Sequence, residues 1–449
     1  MPRGGNPALA VDGSSIAVSG VVDTSVITGI EPKGTGIAYS TNTGENWKYL
    51  PQPIDHAGIL WHCPSTQNPQ DEWYLDMSSC SGVCYDKYNK PDECRQLFQW
   101  IKWGEQDSIL SLLVTTEIDN VSYDLAIYND YIYAASWARG LRRYPIGMIA
   151  GTGSENNRQW EIIPLPRDDD LDLYCNAIDT SYYISPQDPT DDSDESIGGF
   201  HNHKAFSVFV DNNGFIWAGT AAGINKGEIN GNCIDWVGHY SSWQNNISGN
   251  WVIGFEEQII NGYTRIWAIT WSAESQGEFN ALSYTDDGGD TWNTTQPAGY
   301  PEKVYNLYAN SNRIWAASES GLYVSEDGEH WEKYTRPIDD NTGEELLTES
   351  VMSVYFSEND NRLWMGTEDG IAISDDDGIS WSIHKFWEST VYKDQENNFK
   401  TKFSSPILKE EKVYGVVLII APFTFDNIES ASQSILLTNF FIIFVSIMF

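Results

Sequence analysis

Leu363 to Trp381 reads LWMGTEDGIAISDDDGISW. Short apolar and β-branched runs are cut by Gly366, Gly370 and Gly378, a pattern that predicts strand, tight turn, strand, tight turn and the start of another strand. The same text recurs upstream as IWAASESGLYVSEDGEHW at 314–331 and as IWAGTAAGI at 216–224. A unit this short cannot hide its own apolar face, so copies must stack on one another.

The spacing of the copies sets the architecture. Trp217, Trp267, Trp315 and Trp364 stand 50, 48 and 49 residues apart, each in the second strand of its unit. That period, with four strands per unit, predicts a β-propeller rather than a helical solenoid. Residues 8–50 (ALAV, IAVSGVV, GIAYS, WKYL) and 118–166 (VSYDLAIY, YIYAAS, GLRRYPI, WEIIPLP) supply two further units. The expectation is an all-β propeller over 8–386 with six four-stranded blades. A seventh is left open, to be supplied by 51–105 or by sequence ahead of the first unit. Residues 51–105 break the pattern and read as an aromatic, cysteine-bearing insertion. The stretch 167–200 reads as an acidic link.

Residues 387–449 leave the repeat and read as a non-propeller tail. Ser430 to Phe449 carries no charge and ends FFIIFVSIMF, which suits either a short hydrophobic anchor or an aberrant, out-of-frame ending. Membrane contact is expected only through that tail. The opening MPRGGNPALAVDG lacks a signal-peptide pattern, and further N-terminal sequence is expected.

With 26 basic and 64 acidic residues, the net charge is −38. Such a chain repels phosphate backbones and anionic lipid, so nucleic acid is excluded as a partner. Solubility is the plainer reading of the charge. Calcium is left open at the acidic stretches, although Asp188 to Glu195 lacks the glycine and spacing of an EF-hand loop. Of six cysteines, Cys63, Cys80, Cys84 and Cys94 cluster, while Cys175 and Cys233 stand apart. The spacing does not suit structural zinc. Disulfides within the cluster fit an oxidising compartment, and reduced buried cysteine is the alternative.

Four turns share Ser/Thr-x-Asp/Asn-x-Gly-x-x-Trp or nearly so. They are Ser40, Asn42, Gly44, Trp47; Thr285, Asp287, Gly289, Trp292; Ser325, Asp327, Trp331; and Ser374, Asp376, Gly378, Trp381. Hydroxyl and carboxylate can bond turn N–H groups, glycine supplies positive φ, and tryptophan covers the hairpin. These turns resemble the Asp-box (BNR) repeat of sialidase-like propellers, and IWxGTxxGI resembles the repeats of two-component-regulator propellers. The whole is similar to secreted propellers of Gram-negative bacteria that carry a C-terminal sorting domain. The resemblance implies that the Asp-box residues are structural. It also implies a secreted or cell-surface location.

Strand alternation places the second-to-third turns and the blade-to-blade links at one end of the ring. Loops on a rigid scaffold commonly carry function. The candidates for ligand binding at that end are Trp137, Arg139, Trp271, Glu319, Glu368 and Asp369, with His201 and His203 just before a first strand. His201 and His203 could share one strand face, yet two histidines without a third ligand do not make a metal site. No catalytic residue and no resident cofactor is identified. The favoured function is a non-enzymatic extracytoplasmic binding propeller with a protein or glycan ligand. The alternative is a sialidase-like glycoside hydrolase. That chemistry needs clustered arginines and two placed carboxylates. Arg265, Arg313 and Arg362 instead each precede an Ile/Leu-Trp pair and read as repeat positions.

Overall fold

The computed structural model describes residues 8–26, 29–55, 98–104, 106–118, 120–147, 159–175, 182–184, 200–244, 246–273, 275–346, 348–367 and 369–385. It also describes short strands at 84–85, 91–92, 390–393, 399–402, 415–420, 423–424, 436–437 and 441–446. Cys63, Cys80 and Cys94, the side chain of Cys84, and Glu368 lie outside the described residues.

Six four-stranded antiparallel sheets form a six-bladed propeller. Blade 1 comprises Leu9–Asp12, Ser15–Val26, Gly29–Ser40 and Lys48–Leu50. Blade 2 comprises Asp124–Tyr128, Tyr131–Ser136, Gly140–Pro145 and Glu161–Ile163. Blade 3 comprises Ala205–Val210, Phe215–Thr220, Gly223–Asn230 and Cys233–Tyr240. Blade 4 comprises Trp251–Ile260, Tyr263–Trp271, Ala281–Thr285 and Asn293–Thr295. Blade 5 comprises Val304–Ala309, Ile314–Ser318, Gly321–Ser325 and Glu332–Lys333. Blade 6 comprises Val351–Ser357, Arg362–Thr367, Gly370–Ser374 and Ser382–Lys385. First strands of successive blades adjoin one another, so they line the axis.

The insertion does not add a seventh blade. Phe98–Trp103 and Gln106–Leu112 pair with each other, and Tyr183–Ile184 joins them in parallel. This three-stranded sheet therefore outruns the expected boundary at residue 105. Trp103, Ile109, Tyr182 and Ile184 share a buried cluster with blades 2 and 3. The link 164–204 is held to blade 3 by a disulfide between Cys175 and Cys233, Cα atoms 5.8 Å apart. The expected disulfides lay among Cys63, Cys80, Cys84 and Cys94, and this pair, 58 residues apart, was not among them.

The blades lock at the end that carries their third-to-fourth turns, here the lower end. Trp217, Trp267 and Trp315 are almost fully buried in second strands, whereas Trp364 is half-buried. Trp217 meets Trp292 of the next blade edge-on at 6.3 Å, and Trp267 meets Trp331 at 6.5 Å. Trp315 donates to the Tyr334 hydroxyl at 3.2 Å, and Tyr334 packs on Trp381 at 6.2 Å. At four successive interfaces a cation also reaches the next blade's turn. Arg143 Nη2 donates to Asn232 O at 2.7 Å, Lys226 Nζ to Gly288 O at 2.8 Å and Arg265 Nη1 to Asp327 O at 3.0 Å. Arg313 Nη1 donates to Asp377 Oδ2 at 2.6 Å.

The four Ser/Thr-x-Asp/Asn turns close with the same bonds. Asp287 Oδ1 accepts from Thr285 Oγ1 and Thr291 N, both at 2.8 Å, and Gly289 N donates to Thr285 Oγ1 at 2.8 Å. Asp376 repeats this with Ser374 at 2.9 Å and Ser380 N at 2.8 Å. In the shortened turn, Asp327 accepts from Glu329 N and His330 N, both at 2.8 Å. These bonds stabilise the charged carboxylates, and Asp287 is drawn down to about 2. Gly44, Gly289, Gly328 and Gly378 all take positive φ.

The first strands expose one edge to the axis channel, and side chains of the preceding blade cap it. Asp124 Oδ2 accepts from Val208 N at 2.9 Å, Glu256 Oε1 from Ala309 N at 3.0 Å and Asn306 Oδ1 from Val354 N at 3.0 Å. This satisfies N–H groups that no fifth strand can pair.

Candidate functional site

The opposite, upper end carries the second-to-third turns and the blade-to-blade links. One local irregularity repeats there. The pairing of first and second strands slips by a residue between Ala205 and Ser207, Val252 and Gly254, Val304 and Asn306, and Val351 and Ser353. The extra residues are Phe206, Ile253, Tyr305 and Met352. A bulge opposes two residues to one and re-aims the extra side chain, and bulges favour rims and sites. In blade 2, Tyr123 takes the same place ahead of the first strand, its N–H donating to Ala135 O at 2.9 Å. Five successive blades therefore set an aromatic or apolar residue at the inner upper rim.

These residues meet across blades. Tyr123 and Phe206 lie 6.3 Å apart, Phe206 and Trp251 5.8 Å, and Trp137 stands 5.3 Å from Phe206 and 6.3 Å from Trp251. Trp271 meets Tyr305 at 5.9 Å. Two lysines that precede first strands lie over indoles: Lys204 Nζ is 5.0 Å from the Trp137 ring and Lys303 Nζ 4.9 Å from Trp271. Burial pulls Lys204 down to about 8, against the upward pull of Asp168. The result is a rim in which Tyr123, Trp137, Trp251, Ile253, Lys303 and Tyr305 are half-buried, seated on buried Phe206, Met352 and Lys204, on a strongly acidic molecule.

The candidate residues fall into three groups. Trp137 sits within the rim, half-buried beside Phe206 and Trp251. Glu319 is exposed in the blade 5 turn, where Oε2 accepts from Lys303 N at 3.1 Å, and Asp369 is half-buried with its N–H on Thr367 Oγ1 at 3.2 Å. Trp271 is 2 % exposed, and its indole N–H is committed to Val304 O at 2.8 Å, so its role is to fix blade 4 to blade 5. Arg139 is likewise buried. With Arg142 it shares Asp55, at 3.0 and 2.9 Å. Burial, then the neighbouring Arg142 charge, lowers Arg139, and Asp55 opposes both. The two arginines anchor the start of the insertion on blade 2.

The histidine reading needs correction. His201–His203 is a turn of 3-10 helix, not a strand, so the alternation that would put both rings on one face is absent. His201 is exposed, whereas His203 is buried with Nε2 2.9 Å from Leu165 O and its ring against Phe200 at 5.1 Å. Among the described residues no group of three or more His, Cys, Asp or Glu could hold a metal ion.

Apart from the buried Arg139–Arg142 pair on Asp55, the described arginines are distributed rather than gathered. Arg265 pairs with Asp286, Arg313 with Asp377 and Arg362 with Asp375, all at the lower end. Arg143 pairs with Glu161. Sequence reasoning missed Tyr123, Phe206, Trp251, Ile253, Tyr305 and Met352 because a bulge carries no fixed residue type. The available signal was the aromatic or apolar residue ahead of each first strand's alternation.

No family model and no curated protein matches this chain. Many solved structures match it by shape. The surface component PorZ of the type-IX secretion system of Porphyromonas gingivalis is 11% identical with a TM-score of 0.44, over 86% of this chain and 43% of that one. The GH74 enzyme of Niastella koreensis is 14% identical with a TM-score of 0.45, over 86% and 48%. YCF48 from Cyanidioschyzon merolae is 11% identical with a TM-score of 0.42, over 99% and 97%. This chain spans under half the length of the first two.

Proposed function

We propose that this chain is an extracytoplasmic binding propeller that works without catalysis and docks a protein partner on its upper rim. The observation that carries the reading is the bulge repeated in successive first strands, which sets half-buried Ile253 and Tyr305 beside half-buried Tyr123, Trp137 and Trp251 at one end, over buried Phe206 and Met352. Aromatic residues and methionine are what protein interfaces concentrate at their centres. The Cys175–Cys233 disulfide supports an oxidising location. The sialidase-like alternative is less well supported, because Arg265, Arg313 and Arg362 are engaged with aspartates of the lower turns.

The test is site-directed photo-crosslinking in cells that make the full chain. A photoreactive residue replaces Trp137 at the upper rim or Ile379, 86% exposed, at the lower end. Protein adducts concentrated on the Trp137 position are expected. Adducts at Ile379 alone would move the interface and sink the assignment. Turnover of aryl glycosides by the purified chain would overturn the non-enzymatic reading. Recovery of the chain in the cytoplasmic fraction alone would overturn the location.

A further inference from the structure

The flank of blade 4 carries a second concavity, lined by none of the rim residues named above. It is an open cleft of about 650 Å³ between the link that follows blade 3, the fourth strand Asn293–Thr295 and the lower turn of blade 5. Its walls include Asn246, Tyr284, Asn293, Thr294 and Glu329. The side-chain polar atoms of these five make no hydrogen bond among the described residues. Their neighbours differ: Ser248 Oγ is held by Thr270 at 2.6 Å, and Thr295 Oγ1 accepts from Trp331 Nε1 at 2.9 Å. The unspent groups are two amides, a hydroxyl, a phenol and a carboxylate, which together offer donors and acceptors in several directions. Tyr284 is only 6% exposed, its ring clamped by Trp267 at 4.7 Å and by the Arg265 guanidinium at 4.2 Å, so that wall is rigid.

Ser242 lines the cleft, and the residue after it in the short 3-10 turn Ser242–Gln244, Trp243, is 58% exposed. A tryptophan so exposed leaves a large apolar face in water unless something covers it. Polar groups with no internal partner next to a free indole face match one ligand class. A pyranose ring presents vicinal hydroxyls along its edge and C–H bonds on its face. The hydroxyls pair with amides and a carboxylate, and the C–H face lies on the indole. An anionic ligand would meet Glu329 and a molecule of net charge −38. An apolar ligand would strand five polar groups without water. We infer that this cleft is a binding site for a neutral oligosaccharide, separate from the upper rim.

The test uses the full chain with neutral gluco-, galacto- and manno-configured trisaccharides, read by saturation-transfer NMR and tryptophan fluorescence. At least one is expected to bind, and Trp243→Ala and Asn293→Ala should each weaken it roughly tenfold, the loss of one good polar or stacking contact. Both side chains are exposed, so both variants fold. Trp137→Ala at the rim should leave the affinity unchanged. Failure of every trisaccharide to bind the folded chain would overturn the inference. So would binding indifferent to Trp243→Ala, or binding lost with Trp137→Ala.

Discussion

At the lower end of the ring, four turns close with the same pattern, a hydroxyl bonded to a carboxylate or, in blade 1, to the Asn42 amide, and at four successive interfaces a cation reaches the next blade's turn. At the upper end a turn-closing hydroxyl repeats in Thr220, Ser318 and Thr367, each donating to a carbonyl three residues on, but the residue carried by the bulge changes from blade to blade. One end is constrained by the need to stack blades, because each turn must fit its neighbour. The other is freed of that duty and can vary its surface, which is where a scaffold places recognition. The contrast predicts that lower-end substitutions cost stability and upper-end ones cost binding.

The sharpest break would come from Trp267→Ala. Trp267 is fully buried, donates to Gln258 Oε1 at 3.0 Å and packs on Tyr284 and Trp331. Removing a buried indole costs roughly 3–5 kcal/mol. Trp137→Ala, at the half-buried rim, should cost well under half of that in chemical denaturation, yet abolish crosslinking to the partner. Equal costs at the two sites would erase the distinction between the ends.

Arg265→Met comes next. Arg265 donates from Nε to Asp286 Oδ1 at 2.6 Å and from Nη1 to Asp327 O of the next blade, while its stem covers Trp267. Its side chain is 9% exposed but Asp286 is 39% exposed, so screening trims the ion pair. A loss of about 1–2 kcal/mol is expected, with methionine keeping the apolar cover. No change in the denaturation midpoint would show that the cation is ornamental to stacking.

How much of this was legible follows from the same contrast. Trp217, Trp267, Trp315 and Trp364 fall in equivalent second strands as their spacing requires, because stacking imposes one register on every blade. The bulges left no such mark, since Phe206, Ile253, Tyr305 and Met352 share neither size nor polarity beyond being apolar or aromatic. Cys175 and Cys233 meet through a link whose path the repeat does not dictate. Trp271 and Arg139 lie in turn regions, and turn residues read as exposed; a neighbouring blade covers the first, and residues 51–55 and 113–116 cover the second.

A smaller effect separates the axis channel from the lower turns by the sign of its pH dependence. Asp124 and Glu256 retain some exposed area at the channel wall, but burial raises Asp124 to about 7 and Glu256 to about 8, against the lowering effect of their backbone bonds. The folded chain thus holds these protons more tightly than the unfolded one. Their stabilisation is full below about 4 and drains as pH rises through about 7 and about 8. Asp287, drawn down to about 2, does the reverse: its contribution is present above about 4 and lost as pH falls towards that value. Asp124→Asn keeps an oxygen for the Val208 N–H and removes the titration. Its midpoint should change less between pH 5 and pH 8 than that of the parent chain, by about 1 kcal/mol after allowance for exposure. An unchanged slope would assign the drift to other groups.

The smallest effect tests whether the four lower turns are equivalent in physics as well as in shape. Asn42 holds the place of Asp287, Asp327 and Asp376. Its Oδ1 accepts from Ser40 Oγ at 2.9 Å and from Asn46 N at 3.0 Å, as the carboxylates do in their own turns. What it lacks is the second acceptor. Asp287 Oδ2 takes the Thr291 hydroxyl at 2.6 Å, and Asp376 Oδ2 takes that of Ser380 at 2.5 Å, whereas blade 1 has Asn46 at the corresponding position. Asn42→Asp therefore gains a charge without gaining a hydroxyl partner, and the expected stabilisation is below about 0.5 kcal/mol at neutral pH. Pairing it with Asn46→Thr supplies the missing donor, and the double variant should exceed the sum of the single ones. Strict additivity would mean that the hydroxyl and the carboxylate act separately in these turns, and that the shared geometry reflects backbone fit rather than a cooperative bond network.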